Sequence, residues 1–172
     1  MKLLITGVPG TGKTIISKKI AELLNFVYIN IGEYAKENFD FPIEEGEVII
    51  EESLVDEKLK ELDNIVIDSH IPFKADKAII LRCNPNVLIE RLHQRRYSEK
   101  KIKDNLLSEI LDYEIYAVKE IFSDEDIYEV LSENVEETIQ EIMRIIKGKG
   151  NSLRNGNHFN FLTEDNIILL EK

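Results

Sequence analysis

Eight consecutive residues, Gly7-Val8-Pro9-Gly10-Thr11-Gly12-Lys13-Thr14, satisfy the pattern G-x-x-x-x-G-K-[ST] at every fixed position. These residue types suit one chemistry, the holding of a polyphosphate. Such an anion needs many donors close by, and glycines strip the loop of side chains so that backbone N–H groups turn inward. A helix beginning at the end of the loop adds the positive end of its dipole. Gly10, Gly12, Lys13, Thr14 and the backbone of Ile15 are therefore the expected contacts to ATP. Lys13 is a point charge on a flexible stem, able to follow the β- and γ-oxygens during transfer. The Thr14 hydroxyl is expected to coordinate Mg2+. The plain alternative is a flexible turn with a surface lysine. Against it, the pattern follows an apolar strand and precedes a helical repeat, the context a phosphate loop requires.

Two further groups of residues extend this chemistry. Asp68 closes the apolar run Ile65-Val66-Ile67, the place for a Mg2+-orienting carboxylate at the mouth of an α/β sheet. His70 stands two residues on, where it either orients a water or a phosphate or simply hydrogen-bonds a loop. Arg91, Arg95, Arg96, Lys100, Lys101 and Lys103 form a basic cluster in an otherwise acidic chain. Cationic residues between two helices suit a short lid that closes on ATP, neutralises the migrating phosphoryl group and excludes water, with Arg95 as the phosphate clamp. The competing reading is a solvated face paired to Glu90 and Glu99.

The elements that would position these groups are legible in the periodicity. Lys2–Thr6, Val27–Ile31, Asn64–Asp68, Lys77–Cys83 and Asp126–Val130 read as strands. Helical spacing runs from Lys13 to Leu24, from Ser53 to Leu62 and from Asn84 to Gln94, the last opened by an Asn-Pro start. A single long helix is predicted from Ser98 to about Phe122, and Asn134 with Glu137 opens a final one to Lys147. The stretch 32–52 is acidic and weakly periodic, broken by Pro42 and Gly46, and reads as a short helix plus an exposed excursion outside the core. Alternation of this kind predicts a three-layer α/β/α core with a five-stranded parallel sheet. Residues 148–157 read as a linker, and 158–172 as either a frayed tail or a docked element.

Bulk properties narrow the classes. With 172 residues, 43% of them apolar, one α/β domain can bury a sufficient core. A single cysteine, Cys83, excludes an intrachain disulfide and a thiolate metal site, and points to a reducing, cytoplasmic home. The opening apolar run stops at Gly7 and Pro9, too short for a signal segment, and no stretch is long enough to span a bilayer. A net charge of −11 argues against general nucleic-acid binding.

Taken in order, 7–14, Tyr28-Ile29-Asn30-Ile31-Gly32-Glu33, Val66-Ile67-Asp68-Ser69-His70 and Asn86–Leu92 followed by Arg95–Lys101 resemble the small adenylate kinases linked to ribosome assembly in archaea and eukaryotic nuclei. The resemblance covers about residues 1–147 and leaves 148–172 as an extension. It implies a P-loop kinase core carrying an NMP-binding insertion at about 30–52, with Asn30, Gly32 and Glu33 at the acceptor, and a lid at about 94–104. It implies transfer of the ATP γ-phosphoryl group to AMP, an ATPase activity, and a Walker B-like role for Asp68-Ser69-His70. It also implies association with the ribosomal protein uS11 and the small-subunit precursor during rRNA maturation. Two positions depart from the family's usual pattern: Glu33 where an aspartate is common, and Arg96 where a glycine is common. The alternatives are an ATP-switched assembly factor that hydrolyses ATP slowly, or a P-loop kinase of another small acceptor. A GTPase is disfavoured by the lack of an Asn-Lys-x-Asp element.

Overall fold

A computed structural model describes residues 1–44 and 47–171. Gly46, read above as a breaker, lies outside the described residues. The main sheet is formed by β1 (Lys2–Thr6), β2 (Val27–Asn30), β5 (Ile65–Asp68), β6 (Lys77–Arg82) and β7 (Ile127–Leu131). They pair in the order β2-β5-β1-β6-β7, all parallel. The first strand is thus central, and the loop that follows it emerges at the middle of the carboxyl edge, where open α/β sheets bind ligands.

Alternation along each strand divides the core into two layers. Leu4, Ile67, Ile80 and Ile127 face α3 (Glu52–Lys60) and α6 (Tyr113–Lys119), packing on Val55, Leu59, Ile115 and Val118. Leu3, Ile5, Val66, Ile79 and Val130 face the other way, onto Ile16 and Ile20 of α1 (Lys13–Leu24) and Ile142 and Ile145 of α7 (Val135–Ile146). Burying each such aliphatic side chain stabilises the fold by roughly 1.5–3 kcal/mol before entropy is counted. A third cluster, Val8, Cys83, Leu88, Leu92 and Ile102, joins the phosphate loop to α4 (Pro85–Gln94) and α5 (Glu99–Ile110). The caps form as their residue types dictate: Asn84 accepts from Asn86 N–H, Ser98 from Lys101 N–H, and Asn134 from Glu137 N–H. Among the described residues no helix is long and apolar enough to cross a membrane.

Four expectations need correction or completion. The strand Val27–Ile31 stops one residue early, because the Asn30 side chain accepts from Glu33 N–H at 3.1 Å and caps α2 (Ile31–Asn38). That short helix is not outside the core, since Ile31 and Ala35 are buried; the excursion itself is the small antiparallel pair β3 (Ile43–Glu44) and β4 (Glu47–Val48). The single helix from Ser98 to Phe122 is two helices, broken where Asp112 takes φ 57°. The break has a cause on the neighbouring strand. Arg82 Nη2 donates to the Glu109 carbonyl at 3.0 Å and to the Asp112 carboxylate at 2.6 Å, holding the chain out of a continuous helix. The carboxyl-terminal segment is docked. Asn157 donates to the Glu129 carbonyl, and His158 and the Phe159 N–H meet the Glu129 carboxylate at 2.8 and 3.1 Å. A short helix, α8 (Glu164–Ile168), follows.

Candidate active site

The phosphate loop spans the gap between β1 and α1. Its backbone needs glycine at two points in particular. Gly7 has φ 143°, and a Cβ there would lie 2.6 Å from the Leu81 carbonyl oxygen; at Gly10, φ 99°, it would lie 2.8 Å from Leu88. The loop is braced from behind by Ser132 Oγ, which donates to the Thr11 carbonyl at 2.6 Å. Arg91 donates to the carbonyls of Ser132 and Glu133 at 2.7 and 3.0 Å and reaches the Gly10 carbonyl. Arg91 is therefore a brace beneath the loop rather than part of a lid.

The Lys13 ammonium donates across the loop to the carbonyls of Gly7 and Val8. Burial lowers its pKa, and the carboxylates of Glu114 and Asp68 oppose that fall. Asp68, 3% exposed at the end of β5, receives three donors on one oxygen: Thr14 Oγ1 at 2.8 Å, Tyr28 OH at 2.8 Å and Asn30 Nδ2 at 3.2 Å. Burial, then the adjoining carboxylate, raises the Tyr28 pKa far above the ordinary phenol value. The strand register explains the meeting, since β2 and β5 are neighbours and Asn30 lies directly across from Asp68. Thr14 and Asp68 thus offer a hydroxyl and a carboxylate held together, the hard oxygen donors that suit Mg2+. Among the described residues no group of three or more His, Cys, Asp or Glu is placed to hold a metal by itself. A cation here would share its coordination with the nucleotide's phosphates.

In front of the loop lies a cleft of about 650 Å³. Its walls bring together Gly10, Gly12, Lys13, Thr14, Ile15, Asn30, Gly32, Asp68, His70 and Arg95, residues that the sequence singled out. Glu33 is not among the lining residues; it stands exposed on the first turn of α2, its N–H taken by Asn30. Lys36 of α2, Val48 and Ile50 close the side formed by the 30–52 segment, and Lys101, Tyr113 and Glu114 close the opposite one. A smaller pocket of about 300 Å³ lies on the other flank of the loop, between Gly12, Ile15, Arg95, Ser132 and Val135. Arg95 reaches both. A further groove of about 680 Å³ between α4 and α5 has none of the phosphate loop in its wall, so its size does not make it the site.

Sequence reasoning missed Tyr28, Lys36 and Glu114. Glu114 is 7% exposed and accepts from Thr6 Oγ1 at 2.8 Å; burial raises its pKa, and Thr6 and Lys13 oppose this. Its position depends on the break at Asp112, which has no local signal. Tyr28 was detectable, being two residues before Asn30 on the same strand face.

Fold and site together define a P-loop kinase architecture. A family model described as "AAA domain" matches residues 3–112. The chain is 36% identical over 158 residues to a Thermococcus kodakarensis protein named "Putative adenylate kinase", covering 86% of each chain. It is 34% identical over 161 residues to the adenylate kinase isoenzyme 6 homolog of Caenorhabditis elegans, covering 86% of this chain and 88% of that one. The fold is shared with shikimate kinase from Bacteroides thetaiotaomicron (TM-score 0.62, 20% identity, 86% of this chain and 98% of that one). It is also shared with deoxyadenosine kinase from M. mycoides (TM-score 0.58, 18% identity, 86% and 100%). The chain belongs to the adenylate kinase-like family of P-loop kinases.

Proposed function

We propose that the chain passes the γ-phosphoryl group of ATP to AMP, giving two molecules of ADP. The observation that carries this is a phosphate loop set between two recesses, one of about 300 Å³ and one of about 650 Å³, with Arg95 at the rim of both. A kinase with two nucleotide substrates needs a base pocket on each side of a shared phosphate channel. The smaller recess suits the donor nucleoside, and the cleft flanked by Asn30, Gly32 and Lys36 suits the acceptor. Lys36 is the cation on the acceptor side, placed to meet a monophosphate.

The residues then divide the work. Loop amides hold the donor's β- and γ-phosphates, and Lys13 leaves the Gly7 and Val8 carbonyls to follow the transferring group. Thr14 and Asp68 would hold Mg2+, which supplies charge neutralisation on the phosphate oxygens when bound. Arg95 closes over the phosphates as the basic turn folds down, excluding water so that transfer outpaces hydrolysis. An acceptor phosphate is already anionic and needs no general base. His70 lies at the cleft, placed to orient a water or an acceptor oxygen. Hydrolysis of ATP is the expected slower side reaction. Service in small-subunit assembly through uS11, in the cytoplasm, is the second reading; the collinear motifs at 28–33 and 66–70 favour it.

The test is coupled measurement of ADP formed from Mg·ATP with and without AMP. AMP is expected to raise the yield well above that from ATP alone, and Lys13→Met to abolish the gain without altering the melting curve. An ADP yield indifferent to AMP would refute AMP as the acceptor and favour the ATP-switched factor or a kinase of another small acceptor.

A further inference from the structure

Asp68 is fixed in place by its strand, but a backbone position does not fix a carboxylate. The terminal torsion of an aspartate is broad, and turning it changes which oxygen faces the nucleotide. In this chain one oxygen is taken by three donors, from Thr14, Tyr28 and Asn30. Two of these have other tasks. Thr14 lies in the phosphate loop, and Asn30 also caps α2 through Glu33 N–H. Tyr28 is different: its ring lies against the α1-side core and under Lys18, 5.3 Å from the centroid, and of its contacts only the hydroxyl reaches the site. The reach follows from the register. Tyr28 pairs with Val66, two residues before Asp68, a gap of about 6.6 Å along a strand. A phenol lying along the strand spans that gap and a shorter hydroxyl side chain does not.

We infer that Tyr28 is a positioning residue for the metal-bound nucleotide: its hydroxyl holds the Asp68 carboxylate in the orientation that grips the nucleotide's cation. This rests on the reading of Asp68 and Thr14 as the cation's protein partners. Partners of this kind to a metal-binding carboxylate are worth roughly ten-fold or more in metal affinity or activity. The competing account is that a half-buried hydroxyl has simply found a partner.

The two accounts separate on metal dependence. A non-hydrolysable ATP analogue is titrated by calorimetry into wild type, Tyr28→Phe and Tyr28→Met, each with and without Mg2+. Both variants are expected to bind the Mg2+ complex roughly ten-fold more weakly while the metal-free affinity stays at the wild-type value. In turnover, the Mg2+ concentration for half-maximal rate is expected to rise, with kcat restored at saturating Mg2+. If the variants lose Mg2+-bound and metal-free affinity in equal measure, or lose neither, Tyr28 has no such role. Should wild type itself show no gain from Mg2+, the assignment of Asp68 and Thr14 fails, and this inference with it.

Discussion

Arg82→Met tests how far a buried ion network shapes this fold. Arg82 is 1% exposed, at the end of β6, which lies between the central strand β1 and the edge strand β7. Its guanidinium donates to the Glu109 carboxylate at 3.0 Å, to Asp112 at 2.6 Å and to Glu129, and lies 5.0 Å from the Phe161 ring. Burial works against its charge, but Glu109 and Glu129 outweigh that and hold its pKa above the usual value. One cation is thus shared among three carboxylates, and burial already pushes the Glu109 pKa up. Methionine keeps the aliphatic stem and removes the charge. Breaking a buried pair from one side costs about 3–5 kcal/mol, because the remaining ions stay desolvated. Against a typical total of about 5–15 kcal/mol this is a large share. At about 2–4 °C per kcal/mol for a chain of this size, the melting temperature should fall by about 6–20 °C.

The pH dependence fixes the cause. Without the arginine, Glu109 has a folded pKa raised further above its unfolded one. The folded variant then binds more protons than the unfolded chain, so its stability falls as pH rises through the raised value. Urea melts at about pH 5 and about pH 8 should therefore show a smaller deficit against wild type at the acid end. A loss below about 1 kcal/mol, or a deficit flat across that range, would refute the account of uncompensated buried carboxylates.

Asp68→Asn should raise the Mg2+ needed for half-maximal turnover roughly ten-fold while leaving the melt nearly unmoved, since an amide oxygen still accepts from Tyr28 and Thr14. A Mg2+ titration superimposable on wild type would take Asp68 out of the site. Lys36→Met removes the acceptor-side cation; a charge-assisted bond worth about 1.5–3 kcal/mol predicts a KM for AMP at least roughly ten-fold higher with the KM for ATP unaltered. Equal rises in both constants would place Lys36 elsewhere in the mechanism. Cys83 is fully buried and its thiol is pushed up to about 11, by burial first. Its labelling by a thiol reagent at neutral pH should therefore track unfolding, and rapid modification of the native protein would contradict the packing around α4.

The phosphate loop was legible because everything it needs lies within eight residues, and its glycines answer to backbone geometry that is local. The same holds for the caps at Asn84, Ser98 and Asn134, whose bonds close within three residues. Asp68 could be placed at the sheet's mouth from the apolar run that ends on it. Its three donors could not, because they come from positions 14, 28 and 30, and only the pairing of β2 with β5 brings them to one oxygen.

Periodicity over 98–122 gave most of the buried face, though Leu111, read on the same repeat, is exposed, and it gave a wrong account of continuity. A helical repeat reports which side chains face inward, and Ile102, Leu106, Ile110 and Ile115 do so. It carries no record of Arg82, sixteen or more residues upstream, whose charge draws Glu109 and Asp112 together and turns the chain. That turn delivers Glu114 to the cleft, and the same guanidinium meets Phe161 while Glu129 receives His158 and Phe159. Local sequence determined the loop, the caps and the alternation of strands and helices, because those rest on steric and hydrogen-bonding rules a few residues long. Tertiary structure alone decided the helix break, the docking of the last segment and the company around Asp68. Each depends on a buried charge seeking partners across the fold, and such a search has no period.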